Sequence, residues 1–357
     1  MDLPYRRPFV RQHSYAWLLF VLAGCAGNRA RDRSVVRVDG ATEIVSAESG
    51  LFGRPTEIAV DDGGNLWVLD NMLDRILVLT SRGQLVRSIG GAGSGPREFR
   101  RPQAFVVSND TVRVADVGNG RLLTLALKSD YSHGIPLPPA ADLGPLALSE
   151  DGRLVLGTQG LQGSLAAYYD GSGALLGMLG EAPARTSMIL DVRAMKQEII
   201  AGRVPAFFRN VVHPVFAPDG TIWLILTGEA LVQRYDTTGA QQLSVSLAAP
   251  QLERIWQDVV ARSRETQDDP RHIDGPVYVL GAAVVNQRLW MLLNMPASEP
   301  AVMLALTTDG TLERTLVFSA VRGAQSFAMD TARERVYFTI PSDASVVAAP
   351  LPPDRTE

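Results

Sequence analysis

The chain carries little with which to hold a metal or attack a substrate. Its 357 residues include one cysteine, Cys25, and four histidines. A single cysteine excludes intramolecular disulfides and structural thiolate–metal sites. No Gly-x-Ser-x-Gly elbow is present, so the nucleophile turn of the α/β-hydrolases is missing. No run of eighteen apolar residues occurs, and no transmembrane helix is expected. Lysine is scarce as well: Lys128 and Lys196 stand alone, and nearly all basic charge is arginine, a bias read here as compositional. With 34 basic against 38 acidic residues the net charge is −4. A mildly acidic domain lacks the basic face that nucleic-acid binding requires, so no nucleic-acid partner is expected.

What the chain does have is a pattern repeated six times: a turn residue or two, an apolar residue, a large or β-branched one, then more apolar residues. The copies are Gly64–Asp70, Asp110–Asp116, Gly152–Gly157, Gly220–Leu226, Gln287–Leu293 and Glu334–Ile340. Trp67, Arg113, Val155, Trp223, Trp290 and Tyr337 hold equivalent positions, at intervals of 46, 42, 68, 67 and 47 residues. Three intervals match the ~40–50 residues of a four-stranded propeller blade. Within each unit, short runs rich in β-branched and aromatic residues alternate with Ser/Gly and Asp-Gly turns, such as Asp170-Gly171 and Asp309-Gly310, the mark of successive hairpins. The fold class is therefore all-β, a six-bladed β-propeller over residues 35–350. The last unit has only three strands before Pro350, Pro352 and Pro353, and a short tail, 351–357, follows. The strand-like segment Ser34–Ala47 is expected to supply the missing outer strand and close the ring. Trp67, Trp223 and Trp290 share one column and read as packing between blades. Asp70 with Arg75, and Asp116 with Arg121, read as ties within a blade.

These units resemble NHL-repeat six-bladed propellers. The resemblance is best over residues 54–125. It rests on Arg54-Pro55-Thr56-Glu57, on Gly64-Asn65-Leu66-Trp67-Val68-Leu69-Asp70, on the glycine-rich linker Gly90–Pro102, and on the Asp116…Asn119-x-Arg121 element. It loosens over 140–248 and is weak beyond 279. What it implies is a fold, not a chemistry.

The first residues read as an address. Arg6, Arg7 and Arg11 precede ten residues, Tyr15–Gly24, that are too short to span a bilayer, and Leu22-Ala23-Gly24-Cys25 resembles a bacterial lipoprotein box. Arg6-Arg7-Pro8-Phe9-Val10-Arg11 loosely resembles a twin-arginine export signal, without its preceding Ser or Thr. Residues 1–24 are expected to be a lipoprotein signal peptide, Cys25 the lipid-modified residue, and 25–34 a tether to the propeller. The protein would then sit in the bacterial cell envelope, exported and lipid-anchored, on the periplasmic or outer-membrane face. Cleavage removes three arginines and one aspartate, which takes the net charge from −4 to −6.

The two long intervals carry amphipathic helical patterns, and helical insertions are expected at about 183–210 and 250–275. Met188, Val192, Met195 and Ile199 share one face of the first; Leu252, Ile255, Trp256, Val259 and Val260 share one face of the second. Both lie between the outer strand of one blade and the inner strand of the next, so both should emerge on the same face of the ring, together with the linker 90–102. That face is the expected binding face. Candidate ligand-binding residues at its mouth are Glu57, Gln103 and His213 on inner strands, with Arg97, Arg101 and Arg209 on the connections.

No catalytic or metal-binding residues and no cofactor are expected. The inner-strand positions ten residues before each marker are Glu57, Gln103, Pro145, His213, Leu280 and Phe327. One carboxylate among six is a poor cage for calcium, which takes six to eight oxygens. The NHL-type lyases resembled here hold zinc with histidines from several blades, whereas residues 56, 103, 146 and 215 are Thr, Gln, Leu and Val. The expectation is a monomeric propeller that acts as an interaction module for a protein, peptide or glycan. The alternatives are a lactonase- or lyase-type propeller enzyme with an atypical metal site, and a structural subunit of an envelope complex.

Overall fold

The computed structural model describes residues 35–108, 110–138, 144–160, 163–184 and 190–353. The expected signal peptide, Cys25 with the whole of the tether, and Met188 lie outside these. The described chain forms six sheets in a ring; in each, consecutive strands form an antiparallel meander that runs outward in sequence order, and blades five and six gain an outermost strand from the start of the described chain.

Blade one is Pro55–Val60, Leu66–Asp70, Arg75–Leu79 and Leu85–Gly90; blade two is Pro102–Ser108, Thr111–Asp116, Arg121–Ala126 and Ser132–Pro136. Blade three is Leu146–Leu148, Leu154–Gly157, Ser164–Tyr169 and Leu175–Glu181; blade four is Val212–Phe216, Ile222–Leu226, Leu231–Tyr235 and Gln241–Ser246. Blade five is Val279–Val285, Arg288–Leu293, Ala301–Thr307 and Leu312–Phe318. Blade six takes Ser326–Asp330, Arg335–Ile340 and Ser345–Pro350 from the end of the chain. Its fourth strand is Thr42–Val45, antiparallel to Ser345–Pro350, as the segment 34–47 was expected to supply. The segment does more than expected. Val35–Val38 pairs in parallel with Leu312–Phe318 and becomes a fifth strand on blade five. The start of the described chain thus ties two neighbouring blades.

The second strand of each blade is buried on both faces because a blade lies on either side of it. That is why these strands read as unbroken apolar runs rather than alternating ones. The tryptophan column occupies this layer: Trp67, Trp223 and Trp290 are 2%, 1% and 3% exposed. Each packs with the next blade: Trp67 with Phe105 and Val114, Trp223 with Leu289 and Met291, Trp290 with Phe327 and Phe338.

Arginine also crosses every blade boundary. Arg87 of blade one donates to Leu127 O (3.2 Å), and Arg113 of blade two to Glu150 O. Arg153 of blade three lies over the Phe216 ring of blade four at 5.4 Å. Arg234 of blade four donates to Thr308 O (2.8 Å), Arg314 of blade five to Pro353 O (3.2 Å), and Arg333 of blade six to Gly63 O of blade one (2.8 Å). A guanidinium presents several donors on a plane that also stacks on aromatic rings; a lysine ammonium does neither. The arginine bias therefore has structural work at each seam. At the last one, Gly64 sits at φ +80°, and a Cβ there would meet the Arg333 guanidinium at 2.2 Å.

Both insertions are helical. The first forms α1 (Val192–Ile200) and a single turn, α2 (Ala206–Arg209); the second forms α3 (Pro250–Glu265), with Pro250 at its first turn. α1 is capped by Asp191, whose side chain accepts Ala194 N (3.0 Å). Met195, Ile199, Leu252, Ile255 and Val259 are buried and share one core with blades four and five, while Trp256 and Val260 are half-buried against it. Among the described residues no helix is long and apolar enough to cross a membrane.

Candidate functional site

The inner strands surround a channel of about 1050 Å³. All six inner-strand positions named from the repeat, Glu57, Gln103, Pro145, His213, Leu280 and Phe327, line it. The spacing that sets the blades therefore also sets the channel wall. Glu57 stands on blade one and His213 on blade four, opposite walls of a six-membered ring. Thr56, Asn71, Gln325 and Ser326 add hydroxyl and amide groups to the wall, and Arg153 lines the channel too. Sequence reasoning missed most of these. Gln325 and Ser326 fall within one residue of the register rule, but nothing in the pattern marks Asn71 or Arg153.

Glu57 and His213 both lie deep but keep part of their surface open to the lumen. Burial pushes the Glu57 carboxyl up to about 8, against the opposing hydrogen bond from Phe105 N (3.2 Å). Burial drives the His213 imidazole down to about 4. At neutral pH, then, the imidazole is uncharged and the carboxyl is mostly protonated, ionising as the pH rises towards 8. Arg153 is anchored: its Nε donates to Asp151 (2.8 Å) and its Nη1 to Tyr168 Oη (2.9 Å). Burial raises the Asp151 carboxyl, but bonds from Ser149 and Arg153 outweigh it and hold the group below the ordinary carboxylate range.

The three candidate arginines do not join the channel wall. Arg97 reaches across blade two to the carbonyls of Ser129 (3.2 Å), Tyr131 (3.4 Å) and Ala126 (3.3 Å). Arg101 is exposed at φ +48°, its N–H bonded to Asp74 (2.9 Å). Arg209, on α2, forms an ion pair with Glu229. The glycine-rich linker is held at the seam between blades one and two. Phe99 anchors it, fully buried among Trp67, Ile89 and Phe105 between blades one and two.

The helices do converge. Lys196 of α1 is 1% exposed, and its ammonium donates to Thr266 O and to Asp269 O (2.8 Å) just beyond α3. A second cavity of about 560 Å³ opens beneath α3, lined by Asp258, Arg262, Asn294, Glu299 and Gln325 among others. It shares Leu280 and Gln325 with the channel. Arg262 bonds both Asp258 (2.9 Å) and Asp274 (2.5 Å), and His272 lies 3.1 Å from Asp274. Among the described residues no group of three His, Cys, Asp or Glu side chains is placed to hold a metal ion. The remaining histidine of the described chain, His133, lies on the outer strand of blade two, away from the wall.

Ring and channel define a six-bladed β-propeller. A family model described as a 6-bladed beta-propeller matches residues 43–168. Among solved structures, the chain is similar to a catalytically inactive virginiamycin B lyase from Staphylococcus aureus with quinupristin, at 11% identity and a TM-score of 0.52, covering 88% of this chain and 99% of that one. It is equally similar to a putative exported protein from Bacteroides fragilis, at 12% identity and a TM-score of 0.52, with the same coverages. Regucalcin from Agrobacterium tumefaciens, a calcium-binding protein, matches at 12% identity and a TM-score of 0.50, over 88% of this chain and 95% of that one. At such identities the likeness is one of fold. No curated protein matches the chain.

Proposed function

We propose that this propeller is a binding module that takes a protein, peptide or glycan partner on its insertion-bearing face, and that it is exported and held at the membrane by a lipid on Cys25. The observation that carries the reading is the joining of α1 and α3. Two insertions from different seams are locked by the buried Lys196 and share one core with blades four and five. A rigid platform beside a channel mouth is suited to docking, since preformed surfaces bind at lower entropic cost. The exposed side of that platform carries Arg193, Gln197, Gln257 and Arg264.

The test is capture from solubilised membranes with the full chain and with an Arg193→Glu/Arg264→Glu variant. A partner held in stoichiometric amount by the first and lost by the second supports the face. Equal capture by both rejects it. The anchor has a separate test: Cys25→Ser should move the protein out of the membrane fraction, and unchanged fractionation rejects the lipid.

The perturbed Glu57 and His213 favour a second reading, since shifted pKa values cluster at catalytic sites. On that reading the channel houses a lactonase- or lyase-type reaction. Stoichiometric calcium or zinc in the purified protein, lost on Glu57→Gln, would decide for it.

A further inference from the structure

Among the described residues, the channel wall carries a buried acid, Glu57, with no cation bonded to it. The titratable and charged groups on the wall are Arg54, Glu57, Glu150, Asp151, Arg153 and His213. Arg54 is exposed, beside the start of the first inner strand. Arg153 is bound by Asp151 and Tyr168, and Glu150 accepts from Ser108 Oγ (3.2 Å) in the turns at the opposite end. Glu57 and His213 remain, on facing walls. Among the described residues Glu57 accepts a hydrogen bond at Oε2 from Phe105 N, and the residue lines the lumen. His213 opposite is an uncharged imidazole at neutral pH, so it neither repels a cation nor neutralises the acid.

We propose that the channel seats an organic cation, an ammonium or guanidinium at the end of an extended chain, with Glu57 as its counter-ion and the Gln103 and Gln325 amides as further acceptors. This deepens the reading of the insertion-bearing face as a binding face and rests on it. A carboxylate removed from bulk water gains most from an opposite charge brought to it. The donor set matches an ammonium, which needs a few well-placed acceptors, and not calcium, which needs six to eight oxygens. The wall gives the chain behind the charge room to lie, because Gly281, Ala282 and Ala283 present little side chain. From Gln325 the same chain can turn into the second cavity, where Asp258 and Glu299 line the wall beneath α3.

The experiment titrates the purified full chain with 1,5-diaminopentane and, separately, with 1,5-pentanediol, by calorimetry and thermal shift. The diamine should bind one to one and the diol should not. Glu57→Gln, an isosteric and neutral change, should weaken the diamine by roughly 10–100-fold, the range expected for one charged hydrogen-bonded contact. In the unaltered protein, affinity should rise about tenfold per pH unit from pH 6 towards 8 as the carboxyl ionises, a readout that needs no variant. Equal binding of diol and diamine, undiminished binding by Glu57→Gln, or no diamine binding at millimolar concentration overturns the proposal. So does a calcium-induced thermal shift larger than the diamine's and dependent on Glu57. These outcomes concern the channel; capture of a partner by the helical face is read independently, so the two can fail separately.

Discussion

Asp70 shows how a single side chain sets the entrance to a blade. It is fully buried, and it accepts the N–H groups of Gly53 (2.6 Å), Arg54 (3.0 Å), Met72 (3.1 Å) and Leu73 (3.2 Å). Asp116 repeats the device in blade two, accepting from Arg100 N (2.7 Å), Asn119 (2.8 Å) and Arg121 (2.8 Å). The Asp…Asn-x-Arg pattern was legible in the sequence as a tie within a blade. Its larger task was not: each aspartate fixes the chain just before the inner strand, sixteen or more residues earlier, and no local spacing reveals that. Asp70→Ala leaves four backbone donors without their acceptor in a buried site. It should cost about 3 kcal/mol or more, read as a lower denaturant midpoint. Glu57 and His213 make a second prediction, in pH. The folded chain holds the Glu57 proton from about pH 4.5 to about 8, where the unfolded chain has released it, so stability falls as pH rises through that window. His213 acts in the opposite sense: between about pH 4 and 6.5 the unfolded chain binds a proton that the folded chain refuses, so stability falls as pH drops. Thermal melts across pH should show Glu57→Gln gaining on the unaltered protein above pH 4.5 and levelling near 8. His213→Gln should gain below pH 6.5. A variant whose difference from the parent is flat with pH would refute its assignment.

At the scale of elements, the sequence reading succeeded where the periodicity was local. The patterns over 187–201 and 250–266 became α1 and α3, with the apolar residues of each buried on one face. What it could not show is what those faces meet. α1 and α3 pack on one another and on blade four, joined by a lysine that the sequence shows only as one of two. Nor could the sequence show that the glycine-rich linker is anchored by Phe99, which enters the core between blades one and two. The hierarchy has a measurable consequence. Ile255, 1% exposed, is a keystone of the shared core, and Ile255→Ala should cost about 2–5 kcal/mol. Lys196→Met removes the clasp but keeps the packing. It should leave the global midpoint little changed while hydrogen exchange in α1 and in residues 266–269 accelerates, because local opening is then cheaper than global unfolding. Slowed or unchanged exchange there would show that the clasp is dispensable and that Lys196 does not lock the two helices into one platform.

For the whole molecule, the decisive step is closing the ring, and here the sequence reading was right in kind and incomplete in extent. Blade six needs Thr42–Val45 because its own three strands would otherwise end in an open edge. Val45 is 3% exposed and packs with Tyr337, Val346, Leu66 and Val68, so one short strand belongs to a core shared by the first and last blades. Gly83 completes that seam: at φ +80° a Cβ would meet Ile44 O at 2.2 Å, so only glycine lets the outer turn of blade one rest against the closing strand. Val35–Val38, by contrast, adds to a blade that already has four strands. The parallel pairing was not legible because four residues carry no sign of which edge they will meet. The two strands should therefore differ in consequence. A chain beginning at residue 40 loses the parallel strand and should keep a single cooperative transition at a modestly lower temperature. A chain beginning at residue 47 also loses Thr42–Val45, exposing the core between blades six and one, and should lose cooperativity and become protease-sensitive in residues 326–350. If both truncations unfold alike, closure does not depend on the antiparallel strand, and the ring is held instead by the arginine and apolar contacts across its other seams.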